Sequence, residues 1–233
     1  MSKKPSNASP RKRVERTATG LPKISGPDVF ATQFGVSPAI IAKLERYADL
    51  LRQWQGAVNL VAATSLDDVW HRHFADSAQL LALAPDAKSW LDLGSGAGFP
   101  GMVIAILLSD QTDVKIELIE AQQRKCAFLA EVARATGVAV EIHQVRVESA
   151  GIAHRVDPPD IITARALAPL DKLLELAAPW FGPQTRGLFL KGEQVQQEIE
   201  AAQRRWTFHV KLAKSQTDRN GRIIEIRAPH LRD

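Results

Sequence analysis

The chain has 233 residues, 45% of them hydrophobic and 24% charged, a composition that fits one globular α/β domain with modest additions and excludes a fibre or a wholly disordered chain. The longest apolar runs, such as Met102 to Leu108, fall far short of the ~20 residues that a membrane helix needs. A single cysteine, Cys126, leaves no intramolecular disulfide and no thiolate partner for zinc, which points to a reducing compartment such as the cytoplasm.

In chain order, residues 1–26 read as a disordered basic tail. Lys3, Lys4, Arg11, Lys12, Arg13 and Arg16 stand against Glu15, so the net charge of +4 sits almost entirely here and the rest of the chain is close to neutral. Pro5 and Pro10 interrupt any continuous helix, and no apolar stretch of a secretion signal follows. Such a tail serves as a solubilising extension or as a loose holder of polyanions. The prolines argue against an amphipathic transit peptide.

Residues 27–86 read as a helical segment packed on the core. Ser37 and Pro38 form an N-cap and first turn, and Ile40, Ile41, Leu44, Tyr47, Leu50, Leu51 and Trp54 recur at helical spacing as a core-facing stripe. A second helix is expected over about 66–83, including WHRHFADS. From residue 87 onward short apolar strands alternate with amphipathic helices: SWLDL, VKIELIE, VEIHQV, DIITARA and GLFLKG, closed by a pair at HVKLAKS and RIIEIRA joined through the turn residues of Asp218 to Gly221. This alternation implies a mostly parallel sheet with an antiparallel edge, and in such sheets ligands lie beyond the carboxyl ends of the strands.

The stretch WLDLGSGAGFPG after the first strand holds two frames. Gly96, Gly98 and Gly101 spell GxGxxG, the dinucleotide fingerprint. Asp92 followed by Gly94, Gly96 and Gly98 spells an acid and glycine loop suited to S-adenosylmethionine. Glu120, after the second strand, can accept from both ribose hydroxyls of either cofactor and does not discriminate. Asp92 does: a carboxylate there disfavours a pyrophosphate and attracts an ammonium and a sulfonium. Phe99 also sits poorly where phosphates need open backbone, so the adenosylmethionine frame is preferred over a nicotinamide-dependent oxidoreductase. His71 and His73 form an HxH pair without a third ligand in view, and no metal site is expected.

The succession NLVAATSLDDVWHRHFADS, DLGSGAGFPG, LIEAQQRKCAFL, VRVES, ITARALAPL and LFLKG resembles the small-subunit ribosomal RNA guanine-N7 methyltransferases, known in bacteria also as glucose-inhibited division protein B. The likeness covers nearly the whole chain beyond the tail. It implies a Rossmann-like class I methyltransferase domain over 87–233, with a mostly parallel seven-stranded sheet, helices on both faces and an N-terminal helical extension. It implies further that Gly94 and Phe99 contact S-adenosylmethionine while Gly96 and Gly98 shape the loop. By the same resemblance Glu120 holds the ribose, Val147 and Glu148 frame the adenine, and Arg165 lines the site. Arg72 and His73 are placed near its mouth, to hold an RNA phosphate or the target base. Ser95 and Ala97 stand where some relatives have Thr and Pro, and Glu120 where others have Asp. Neither departure touches the glycine geometry.

Guanine N7 presents its lone pair in the ring plane, so displacement at a sulfonium methyl needs no general base, and alignment carries the catalysis. Lys191, at the end of the fifth strand, is the expected cation beside the substrate. Arg72, His73 and Lys191 are thus the candidate catalytic-site residues. The partner is expected to be 16S ribosomal RNA within the small subunit, bound by local clusters at Arg124 and Lys125, at Arg204 and Arg205, and at Lys211, Lys214, Arg219 and Arg222. The chain is expected to act as a monomer. A non-catalytic ribosome-assembly factor on the same fold is the competing reading, against which the intact loop, Glu120 and Arg165 speak.

Overall fold

Both N-terminal helices, α1 (Pro27–Phe34) and α2 (Pro38–Gln55), begin on proline, whose missing N–H is unneeded in a first turn. In the computed structural model, which describes residues 23–149 and 157–232, Ser37 caps α2 by accepting from the Ile40 N–H at 3.4 Å. Ile40, Leu44, Tyr47, Leu50 and Leu51 are buried, as their spacing predicts, while Ile41 and Trp54 are half-buried against the same core.

The helix expected over 66–83 is instead a succession of different turns. α3 (Ala63–Leu66) is followed by a π-helical stretch (Trp70–Ala75), one turn of α4 (Asp76–Ala78) and a 3₁₀ turn (Gln79–Leu83). Periodicity does not distinguish these windings, and π-turns recur at functional sites. His71 and His73 are both buried in the π-helical stretch, facing different partners. The expected basic tail lies outside the described residues except for its last four, and these correct its boundary. Ile24 is a core residue whose N–H donates to His71 Nδ1 at 3.2 Å, and Lys23 pairs with Asp68 at 3.3 Å. His71 Nε2 in turn bonds the Thr217 carbonyl at 2.9 Å, so both ring nitrogens serve as a clasp between distant segments.

The strands are β1 (Ser89–Leu93), β2 (Lys115–Ile119), β3 (Glu141–His143), β4 (Ile161–Arg165), β5 (Arg186–Lys191), β6 (Trp206–Lys214) and β7 (Arg222–Leu231). They form one sheet in the order β3-β2-β1-β4-β5-β7-β6. All pairings are parallel except those of β7, antiparallel to β5 and β6. Every strand expected from the sequence is present, including the antiparallel edge.

Alternate residues serve two cores. Trp90, Ile116, Leu118, Ile161 and Leu188 pack with α2, α5 (Gly101–Leu107) and α6 (Gln123–Thr136). Leu91, Leu93, Ile119, Ile162 and Phe189 pack with α7 (Leu170–Ala177) and α8 (Val195–Ala202). The N-terminal helices therefore share a core with one face of the sheet. Strand order reverses between β1 and β4, and the crevice beyond their carboxyl ends is the topological switch point where such sheets bind ligands.

Gly101 sets how closely α5 approaches the sheet. A Cβ there would collide with the Leu118 side chain and lie 2.8 Å from Asp92 Cβ. Gly101→Ala should destabilise the fold by about 1–3 kcal/mol, the usual range for overpacking. Thermal unfolding checks this, and an unchanged midpoint contradicts it.

Candidate active site

The glycine loop leaves β1 with Gly94, Gly96 and Gly98 at φ +66°, +58° and +95°, conformations that side chains disfavour. Their surroundings divide their roles. A Cβ on Gly98 would meet Tyr47 Oη at 2.6 Å and Met102 Cβ at 2.7 Å, so this glycine lets α2 pack on the loop. Tyr47 donates its hydroxyl to the Ala97 carbonyl, a contact hidden in the sequence because Tyr47 belongs to an ordinary core stripe. At Gly96 the nearest such atom, the Gly94 carbonyl oxygen, is 3.8 Å away, leaving open space for a ligand.

The two acids of the motif have different surroundings. Asp92 is 1% exposed and turned inward. One carboxylate oxygen accepts from Thr163 Oγ1 at 2.7 Å and the other from the Gly101 N–H at 3.2 Å. Burial raises its pKa to about 6 against the lowering effect of these hydrogen bonds. Asp92 thereby joins β1 to β4, where Asp92 and Thr163 are register partners, and anchors the start of α5. Glu120 accepts from the Gly96 N–H at 2.9 Å and the Gln122 N–H at 2.8 Å. Each oxygen keeps a further lone pair, so the carboxylate meets the glycine loop and can still accept from ribose hydroxyls.

Phe99 follows the loop with its ring turned inward. It is 4% exposed, stacked on His73 with centroids 4.6 Å apart and on Tyr47 at 5.4 Å. Val147 is half-buried and Glu148 exposed, following β3 beside Glu120. Both border a small recess of about 170 Å³ with Lys172 and Trp180.

A cavity of about 1050 Å³ lies beyond β4 and β5, walled by the 60–76 segment, the loop after β4 and the β6–β7 turn. Leu167 connects the two halves of the site: it lines this cavity and stands 2.6 Å from where a Gly94 Cβ would be. Arg165 organises the wall, donating to the Arg72 carbonyl at 3.0 Å, Asp76 Oδ2 at 3.3 Å and His73 Nδ1 at 2.9 Å, with its guanidinium 4.9 Å from the Phe99 centroid. Next to it Ala166 takes φ +54°, a strained conformation for a residue with a Cβ.

Of the three expected substrate-side residues, the structure brings all to this cavity but leaves only Arg72 with an exposed, unpaired cation among the described residues. His73 is buried, with Nε2 on Ser65 Oγ at 2.9 Å and Nδ1 taken by Arg165. Burial, Arg165 and Arg72 lower its pKa to about 3, so it is neutral and holds Arg165 rather than a phosphate. Lys191 donates to the Ala168 carbonyl at 2.6 Å and Glu198 Oε2 at 2.7 Å, and is a paired cation, not a free one. Glu198 was invisible to sequence reasoning, being one acid on the amphipathic α8. Among the described residues Glu117, Glu141 and His143 cluster at the β2–β3 edge, where buried Glu117 is already paired with Lys115 at 2.6 Å and His143 at 2.7 Å.

The neutral His73 makes an acid-sensitive contact. Its folded pKa lies below the ordinary 6.5, so the stability it contributes is complete above that pH and lost as pH falls toward about 3. Between pH 6.5 and 4.5 the protein should lose stability relative to His73→Gln by roughly 1.4 kcal/mol per pH unit. Denaturant unfolding of both proteins across this range checks the slope, and parallel curves contradict it.

The family model for rRNA small subunit methyltransferase G, or GidB, matches residues 40–223. The chain is 44% identical over 218 residues to the ribosomal RNA small subunit methyltransferase G of Parvibaculum lavamentivorans, covering 93% of this chain and 96% of that one. It is 46% identical over 205 residues to the protein of the same name from Rhodospirillum rubrum, covering 88% and 98%. Among solved structures, an O-methyltransferase from Bacillus cereus in complex with SAH superposes with a TM-score of 0.54 at 16% identity, over 79% of this chain and 91% of that one, a likeness of fold.

Proposed function

The chain belongs to the rRNA small subunit methyltransferase G family, enzymes that use S-adenosylmethionine to methylate guanine N7 in small-subunit ribosomal RNA, and we propose how its residues divide that work. The observation that carries the proposal is the junction at Leu167 between the glycine loop and the large cavity. Cofactor and base then occupy neighbouring halves of one cleft at the switch point.

On the cofactor side, the open backbone at Gly96 fits a ligand pressed against it, and Glu120, already bonded to that backbone, fits the ribose. Gly94 closes the loop beside Leu167, and Gly98 lets Tyr47 fix its shape. Val147 and Glu148, one strand further out, frame the adenine. Asp92 acts behind the loop and Phe99 beneath it. When bound, S-adenosylmethionine supplies a methyl group on a sulfonium, which the in-plane N7 lone pair takes directly. No side chain has to remove a proton, so the chain's contribution is alignment, which is worth several kcal/mol.

On the RNA side, the base enters the cavity and Arg72 at its rim meets a phosphate: of the other cations that line it, Arg165 is paired with Asp76 and Lys191 with Glu198, while Arg222 donates to the Arg219 and Gly221 carbonyls. Arg165 positions the wall through His73. A nearly neutral body cannot hold long RNA by charge alone, which favours a substrate shaped by the assembled small subunit. The large exposed apolar side chains among the described residues, Val29, Leu212 and Leu231, are scattered, in keeping with a monomer. No helix among the described residues is long and apolar enough to cross a membrane, and the single buried cysteine agrees with the cytoplasm.

Transfer of labelled methyl to small-subunit RNA, naked and in assembled particles, with mapping of the modified base, tests the assignment. Gly96→Val should abolish cofactor binding in calorimetry while the protein stays folded, since the branched side chain fills the open face at a positive φ. Retained affinity would refute the placement. Arg72→Ala should leave cofactor affinity unchanged and lower methyl transfer about tenfold, with a shallower salt dependence of RNA binding. An unchanged salt slope removes Arg72 from the RNA contact.

A further inference from the structure

Methyl transfer to N7 does not by itself distinguish purines, because adenine offers an N7 of its own. Discrimination has to come from the six-membered ring, where guanine presents O6 as acceptor and N1–H and the 2-amino group as donors, while adenine presents a donor at position 6 and an acceptor at N1. A wall that selects guanine therefore needs a donor for O6, on the edge next to N7, and beside it an acceptor for N1–H and the 2-amino group, on the edge away from the methyl group.

The ends of β5 and α8 supply that pair. Lys191 has a side chain only 9% exposed, and among the described residues its ammonium spends two of three protons, on Ala168 and on Glu198 Oε2. Glu198 spends Oε2 on Lys191 and on the Leu170 N–H at 2.8 Å, and among the described residues its Oε1 has no partner. Both side chains line the cavity. β4 lies between β5 and the glycine loop's strand, so the pair stands on the wall away from the loop. One free donor on Lys191 and one free acceptor, Glu198 Oε1, remain, on side chains joined by the 2.7 Å contact of Nζ with Oε2 and held by the backbone on either side.

We infer that the Lys191–Glu198 pair reads the target base, Lys191 donating to O6 and Glu198 Oε1 accepting from N1–H and the 2-amino group. Adenine in the same place would set donor against donor and acceptor against carboxylate. The carboxylate also faces a ring that gains positive charge as the methyl arrives, an attraction stronger in the transition state than before it. Glu198 is thus a specificity-determining residue for the family's reaction, and the inference rests on that reaction.

The test is single-turnover methylation by the full chain at saturating S-adenosylmethionine, on RNA carrying guanosine, inosine or adenosine at the target position, with and without Glu198→Gln. The unaltered protein should prefer guanosine over inosine, which lacks the 2-amino group, by about tenfold, and over adenosine by about 100-fold, the range of good base-edge contacts. Glu198→Gln should bring the guanosine-to-inosine ratio close to one with cofactor affinity unchanged. If all three rates fall by a common factor, Glu198 only supports the fold of the wall and the inference is overturned. Should the variant lose the cofactor through misfolding, the unaltered protein decides: equal rates on guanosine and inosine overturn the inference, a clear preference for guanosine upholds it. A product from the unaltered protein that lacks 7-methylguanine would sink the reaction assignment itself, a separate failure.

Discussion

A buried carboxylate organises this protein. Asp92 sits at the end of the central strand with almost no exposure, accepting from Thr163 on β4 and from the first N–H of α5. A charge in that position is unfavourable in isolation, as its raised pKa records. The hydrogen bonds and the positive end of a helix offset the penalty. In return the carboxylate fixes where β1 ends and α5 begins, and the glycine loop has to span the interval between them. Gly101 completes the arrangement, since only a residue without Cβ lets α5 come so near Asp92 and Leu118.

The N-terminal helices are part of the site rather than an appendage. Tyr47 from α2 holds the Ala97 carbonyl and stacks on Phe99. His73 from the π-helical stretch stacks on the same ring and takes a hydrogen bond from Arg165. The result is a stack of aromatic rings beneath an arginine, joining the helical segment, the cofactor loop and the end of β4. A neutral histidine is required there, because an imidazolium would face two arginines in a place that water barely reaches.

Electrostatics separate the two functions of the cleft. Of the cations that line the large cavity from the sheet, Arg165 and Lys191 are matched by Asp76 and Glu198, and Arg222 donates to the Arg219 and Gly221 carbonyls. A cavity so lined suits an uncharged, hydrogen-bonding group better than a phosphate.

The sequence by itself determined the strands, their alternation with helices, the loop at Gly94–Gly98 and the acid at Glu120. Each of these is local: a period of two or 3.6 residues, or a backbone turn that demands glycine. It also carried the family through the order of its motifs. What it left undecided depends on side chains brought together from far apart in the chain. Asp92 looked like a ligand for a cation because its partners, Thr163 and the α5 N–H, meet it only after β4 is laid beside β1. His73 and Lys191 looked like free contacts for the substrate because Arg165 and Glu198 reach them across the fold. The winding of residues 70–83 and the burial of Ile24 likewise depend on packing that no local pattern encodes. Tertiary structure decided which polar groups already have partners, and among the described residues it leaves the Arg72 guanidinium and Glu198 Oε1 without one.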